Sequence, residues 1–143
     1  MTLTLSDLRQ PKAQEMVCFP ASFAQQSLWF IDQLTPGRAT YNIPSALRVR
    51  GKLDVEVLKR TVEEIVRRHE TLRTRFVAVG GEPQQVIEDQ VNVELPVLDL
   101  TGVAGEAERE AEAMRLAREE AQQPFDLKQA PLFRGKLLRL GTL

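Results

Sequence analysis

Two adjacent glycines divide the stretch TLRTRFVAVGGEPQQVIE into two short halves. Each half carries residues that suit a pleated strand, and a Gly-Gly pair accepts the positive φ values that a two-residue hairpin turn demands. The stretch is therefore predicted to form two antiparallel strands around Gly80 and Gly81. A hairpin in mid-chain has an apolar face to cover, so the flanking segments must supply helices or further strands that pack on it.

Those segments carry their own start and stop signals. Ser22 followed by Gln25 is a capping-box pattern, and the helix it opens should run to about Leu34, where TPG stops it. At about 100° per residue, Phe23, Ala24, Leu28, Phe30, Ile31 and Leu34 share one broad apolar face, while Trp29 falls off it and needs a second packing partner. YNIPSALRVRG, residues 41–51, alternates Ile43, Ser45, Leu47 and Val49 against more polar neighbours and is predicted as a half-buried strand, pushed toward a sheet edge by Pro44. Asp54 is the predicted N-cap of a second helix, with Glu56 near its start and Arg67 and Arg68 near its end suiting the helix dipole. VNVELPVLDL should place Val91, Val93, Leu95 and Val97 on one strand face. An Ala- and Glu-rich third helix ends at Pro124, and its Glu112/Arg115 and Arg115/Glu119 pairs are spaced for one solvated face. APLFRGKLLRLGTL begins as a strand with Phe133, Gly135 and Leu137 in phase. Residues 1–17 read as a leader or linker. The order helix, strand, helix, three strands, helix, strand predicts an α/β sandwich of helices on a mixed sheet.

The one histidine, His69, is the residue type most used for acid–base chemistry near neutral pH. Leu58, Val62, Ile65 and His69 follow at i, i+4, i+7 and i+11, so His69 is predicted to continue an apolar stripe as a packed, locally hydrogen-bonded side chain. A Cys18/His69 dyad is the sharper alternative, set against Cys18's weakly patterned surroundings. One Cys and one His exclude an internal disulfide and a Cys/His metal cluster. With 19 Lys plus Arg against 20 Asp plus Glu, the chain has no electrostatic footprint for nucleic acid or an anionic membrane. It has no apolar run that spans a bilayer and no signal-peptide pattern, so it reads as cytoplasmic. Gly-rich phosphate loops, G-x-S-x-G and H-E-x-x-H are all absent.

Four stretches nevertheless resemble one family. SFAQQSLWFIDQL (22–34) is similar to the first core motif of condensation domains from nonribosomal peptide synthetases, Ser-x-Ala-Gln-x-x-Leu/Met-Trp/Tyr-x-Leu, with Ile31 where Leu is usual and Ser27 where Arg is common. RHETLRTRF (68–76) matches the second motif, Arg-His-Glu-x-Leu-Arg-Thr-x-Phe, at every defined position. YNIP (41–44), and PFDL followed by PLFRGKLLRL (124–140), resemble further segments in the family's order. The resemblance runs from about Phe19 to Leu140.

The resemblance implies a chloramphenicol acetyltransferase-like two-layer α/β sandwich, of which residues 18–143 are the N-terminal, donor-side lobe, incomplete, with a mixed sheet and packed helices. It implies a parent that forms amide bonds between acyl groups brought as thioesters on the phosphopantetheine arms of peptidyl carrier proteins. An adjacent adenylation domain and the remainder of the condensation domain are the other implied partners, and no cofactor is bound directly. The family's catalytic His-His-x-x-x-Asp-Gly follows the strand that ends here near Leu140; neither it nor the second lobe lies in these 143 residues. The chain by itself is therefore expected to be inactive, with no catalytic residue of its own. His69 belongs to the second motif, whose role in the family is mainly structural. An Arg of that motif pairs with the Asp of the catalytic motif, and the resemblance assigns this role first to Arg73 and second to Arg68. Without that Asp, the guanidinium is expected to find another carboxylate or water, because an unpaired buried charge costs several kcal/mol. The SFAQQSLWF form leans toward the subtype taking an L-configured donor. Two alternatives remain open: a non-catalytic condensation-like module that docks carrier proteins, and part of a stand-alone acyltransferase of the same superfamily.

Overall fold

The computed structural model describes residues 18–141, so the leader expected at 1–17 lies outside the described residues. The hairpin forms as its glycines require. Strand β2 (Thr74–Val79) pairs antiparallel with β3 (Glu82–Ile87), from Thr74 opposite Ile87 to Val79 opposite Glu82. Gly80 and Gly81 take φ of 62° and 90°, values a side-chain-bearing residue adopts only at a cost. A short strand without a clear sequence signal, β1 (Cys18–Pro20), covers the other edge of β3 and gives the order β1-β3-β2.

Helix α1 (Phe23–Leu34) starts as predicted: the Ser22 hydroxyl accepts from the Gln25 backbone amide at 3.3 Å, and the Gln25 side-chain Oε1 accepts from the Ser22 backbone amide at 2.7 Å. Helix α2 (Val55–Arg68) is capped by Asp54, whose carboxylate accepts from the Val57 amide. A turn of 3-10 helix, Glu70–Arg73, leads from α2 into β2. Helix α3 (Glu106–Gln122) stops just ahead of Pro124. It lies in sequence between β4 (Val97–Asp99) and β5 (Leu137–Arg139), which pair in parallel as a separate two-stranded sheet. A helix between two parallel strands is the usual crossover, since parallel strands cannot be joined by a tight turn. The molecule is thus mixed α/β with packed helices, its antiparallel and parallel ladders in two small sheets.

The core is small. Val66 on α2, Val86 on the central strand β3, Thr74, Ala21, Leu100 and Ala113 are buried. Four expectations are corrected. Residues 41–51 form no strand: they are irregular, with a turn at Tyr41 and a bend at Gly51, and among the described residues 43–50 join no backbone ladder. Their apolar positions face solvent, with Ile43 95% and Leu47 89% exposed. The strands expected at 91–100 and from 131 shrink to Val97–Asp99 and Leu137–Arg139. The alternation at Val91, Val93 and Leu95 survives as half-burial, but it shifts phase after Pro96, so that Leu98 and Leu100 turn inward in place of Val97. Helix α1 turns its Gln25, Trp29 and Asp32 side toward the body and leaves Phe23 and Leu34 exposed. Lastly, His69 is exposed and caps the C-terminus of α2. The stripe expected to bury it fades before reaching it: Leu58 and Val62 are half-buried and Ile65 is 45% exposed, while the buried residue of α2 is Val66, outside the stripe.

Candidate functional site

All four stretches that carry the family resemblance converge on one half-open cavity of about 380 Å³. The first supplies Trp29, Leu28 and Ile31 from α1; the second supplies Phe76 from β2. YNIP contributes Tyr41, Asn42 and Ile43, and the last stretch contributes Phe125, Leu127, Leu132, Phe133 and Arg134.

Each wall has a local cause. Gln25 does two jobs: its carbonyl oxygen closes the capping box, and its Nε2 donates to Gln85 Oε1 at 2.9 Å. Gln85 Nε2 in turn donates to the Pro20 carbonyl at 3.1 Å. The polar side of α1 is thereby fastened to β3 and β1, which brings Trp29 to the cavity wall. Phe76 is fixed because its amide donates to the Leu127 carbonyl at 2.7 Å, joining the edge of β2 to the 125–129 turn. Arg134 closes the far side. It pairs with Glu120 at 2.9 Å, donates to the Gln123 and Pro124 carbonyls, and sits 3.9 Å over the Phe125 ring. Lys136, at 2.8 Å, and Arg134 together hold the Glu120 carboxyl below its usual pKa against a desolvation that works the other way. Asn42 Nδ2 donates to the Ala121 and Gln123 carbonyls at 3.0 and 2.7 Å, so it caps the C-terminus of α3 while its neighbours line the cavity.

The lining combines aromatic and aliphatic side chains with the Asp32 carboxylate, the Thr35, Thr40 and Tyr41 hydroxyls and the Arg38 and Arg134 guanidinium groups, and it holds no histidine and no cysteine. The residues singled out from the sequence lie elsewhere. Arg73 is half-buried and donates to three backbone carbonyls: Val66 at 3.2 Å, Glu88, and Asp89 at 3.3 Å. In place of the expected carboxylate or water it takes main-chain oxygens, and through them it ties the end of α2 to the end of β3. Arg68 is exposed and paired with Glu64 at 2.6 Å. Glu64 also takes Arg67 at 2.7 Å, and the two guanidinium groups, Arg67 foremost, draw its carboxyl pKa down to about 2. Cys18 is exposed on β1, and among the described residues no hydrogen bond joins it to His69. No cluster of potential metal ligands occurs among the described residues, and no described helix is long and apolar enough to cross a membrane. The sequence offered one pointer to the cavity: Trp29, lying off the apolar face of its helix, is half-buried and lines it.

Comparison with known proteins agrees with this geometry. The condensation-domain family profile matches residues 15–142. The chain is 51% identical over 122 residues to a linear gramicidin synthase polypeptide of Brevibacillus parabrevis, spanning 85% of this chain and 2% of that protein. It is 47% identical over 121 residues to phosphinothricin tripeptide synthetase PhsC of Streptomyces viridochromogenes, 85% of this chain and 11% of that protein. A substituted form of the starter condensation domain of rhizomide synthetase RzmA, solved in complex with C8-CoA, superposes with a TM-score of 0.77 at 31% identity, over 87% of this chain and 28% of that one. The chain therefore spans a small fraction of its curated relatives, and it belongs to the condensation-domain family of nonribosomal peptide synthetases.

Proposed function

We propose that this chain is the front part of the donor-side lobe of a condensation domain, and that the parent protein joins carrier-bound acyl groups through an amide bond. The observation that carries the reading is the convergence of all four family stretches on one cavity, in a chain whose family match covers residues 15–142. The acceptor amine attacks the donor thioester carbonyl, the C–N bond forms, and the thiol of the donor's phosphopantetheine arm leaves. The base for that step comes from outside this chain: its one histidine is exposed at the end of α2, away from the cavity lining.

Within this reading the partners are peptidyl carrier proteins, an adenylation domain and the remainder of the condensation domain, in the cytoplasm. The phosphopantetheine belongs to the carriers. Arg73 acts as a structural support of the active-site lobe by holding α2 against β3. Arg68 and His69 support it less, since both are exposed.

The test is a chimera. Residues 15–142 replace the matching segment of a condensation domain in the linear gramicidin synthase relative, and amide formation between two loaded carriers is measured. The chimera is expected to form product, while the 143-residue chain alone gives no turnover above a no-enzyme control. A soluble, folded chimera without product overturns the reading. So does turnover by the chain alone that is lost on His69→Ala.

A further inference from the structure

We infer that Arg134 is a positioning residue of the site: its planar guanidinium sets where the 124–127 turn, and through it Phe76, stand against α1. Its grip on the turn rests on the geometry alone; its effect on the reaction rests on the condensation-domain reading.

Arg134 interrupts an apolar run, between Leu132, Phe133 and Leu137, and is half-buried. All of its guanidinium nitrogens are used. Nε donates to Glu120 Oε1 at 2.9 Å, Nη1 to the Pro124 carbonyl at 2.9 Å, and Nη2 to the Gln123 and Glu120 carbonyls at 2.8 and 3.3 Å. The flat face of the group is used as well, 3.9 Å from the centre of the Phe125 ring. Helix α3 has no basic residue in its last turn, so this guanidinium, brought from another segment, supplies the cation that the carbonyl end of a helix favours. A lysine keeps the charge near Glu120, but its ammonium has neither the fork for several carbonyls nor a plane to lie over a ring. The turn then carries the position onward. Leu127 accepts from the Phe76 amide at 2.7 Å. Phe76 stands opposite Gln85 in the hairpin, and Gln85 accepts from Gln25 on α1. These contacts ring the cavity, and Arg134 is where the last of the four stretches is fastened. Lys136 pairs with Glu120 at 2.8 Å independently, so loss of Arg134 leaves that carboxylate with a partner and the cost falls on the turn.

Arg134→Lys, made in the full chain, is read by hydrogen exchange. The Phe76 amide is expected to exchange about tenfold faster or more, because its acceptor shifts, while the ladder amides of β2 and β3 stay within about twofold. Trp29, the one tryptophan, should become about twofold more open to acrylamide quenching as the far wall loosens. In the chimera described above, the same change should lower kcat about tenfold or more at equal folded concentration, with KM for the loaded carriers within about twofold, since a small misplacement inside a site costs rate above all. Lys136→Met removes the other partner of Glu120 and none of the turn's hydrogen bonds, so it should leave the Phe76 amide and kcat within about twofold of the parent. A merely stabilising arginine would speed all amides alike and leave kcat per folded molecule unchanged. Either result overturns the inference, and so does a Lys136→Met chain that behaves like Arg134→Lys. Should Arg134→Lys not fold, Glu120→Gln, which loosens the guanidinium and spares its other contacts, must speed the Phe76 amide about threefold or the inference fails. A chimera inactive before any substitution sinks the condensation reading, and Phe76 exchange then decides the role of Arg134 by itself.

Discussion

Arg73 satisfies three main-chain carbonyls that belong to two different elements, so its loss strands acceptors at both ends of one joint. Arg73→Met keeps much of the side chain's bulk but not its donors, and it should destabilise the chain by about 2 kcal/mol, read from the urea midpoint at constant m. A change below about 0.5 kcal/mol would mean the carbonyls are satisfied by water. His69→Ala, by contrast, should move stability by no more than about 0.5 kcal/mol, because the side chain is exposed and the capping contact from His69 to Ile65 is made by its backbone amide. Glu64 gives a pH signature. Its folded-state carboxyl is pulled to about 2 from an ordinary value of 4.5 by Arg67 and then Arg68. A lowered carboxyl pKa adds stability that is complete above the unfolded value and disappears as pH falls through the folded one. The contribution of Glu64 is thus lost between about pH 4.5 and 2. The group is exposed, so salt should weaken the effect. Carbon-detected NMR of the Glu64 carboxyl should give a midpoint near 2 at low salt that rises with added salt; a salt-independent midpoint above 4 would refute the pairing.

At the scale of elements, Asn42 joins the irregular 42–50 segment to a helix end. Its side-chain amide caps the Ala121 and Gln123 carbonyls, and six residues later Arg48 pairs with Glu110. These two anchors lay residues 42–48 along α3 in the opposite direction. Asn42→Ala should cost about 1 kcal/mol and speed amide exchange in the last turn of α3, with the β2–β3 hairpin unaffected. Equal acceleration everywhere would show global destabilisation and not a lost cap. The same region marks where sequence reading stops. Elements set by near neighbours were legible: Ser22 and Asp54 capped their helices, Gly80 and Gly81 turned the hairpin, and Arg115 found Glu112 and Glu119. Alternation at 41–51 predicted a half-buried strand that does not form: a ladder needs a partner strand, and no local pattern says whether one is adjacent. Likewise, the helical period grouped Phe23, Phe30 and Leu34 on one face of α1 without saying which way that face points. The cavity was visible only as an odd Trp29, because its walls come from residues as far apart in sequence as Leu28 and Phe133.

Over the whole molecule, the apolar surface is unusual. Phe23 is 89% exposed on α1, and Ile43 and Leu47 are 95% and 89% exposed on the irregular segment after it in sequence. Single exposed apolar residues are ordinary, but Ile43, Leu47 and Val49 on one stretch of unladdered backbone make a surface that other chains are expected to cover. The expected consequence is reversible self-association of the 143-residue chain. Arg48 and Arg50 alternate with Leu47 and Val49, and such interspersed charge disfavours unlimited stacking, so small oligomers are expected and fibrils are not. Sedimentation velocity across a hundredfold range of concentration should show the average mass rising. The double substitution Ile43→Asp, Leu47→Asp touches no buried position, so it should leave the thermal midpoint within a few degrees and restore a monomer. A strict monomer at every concentration would show that this surface is shielded in solution. An associating double variant would move the contact to the Phe23, Phe30 and Leu34 stripe of α1, where Phe30→Asp is the corresponding change.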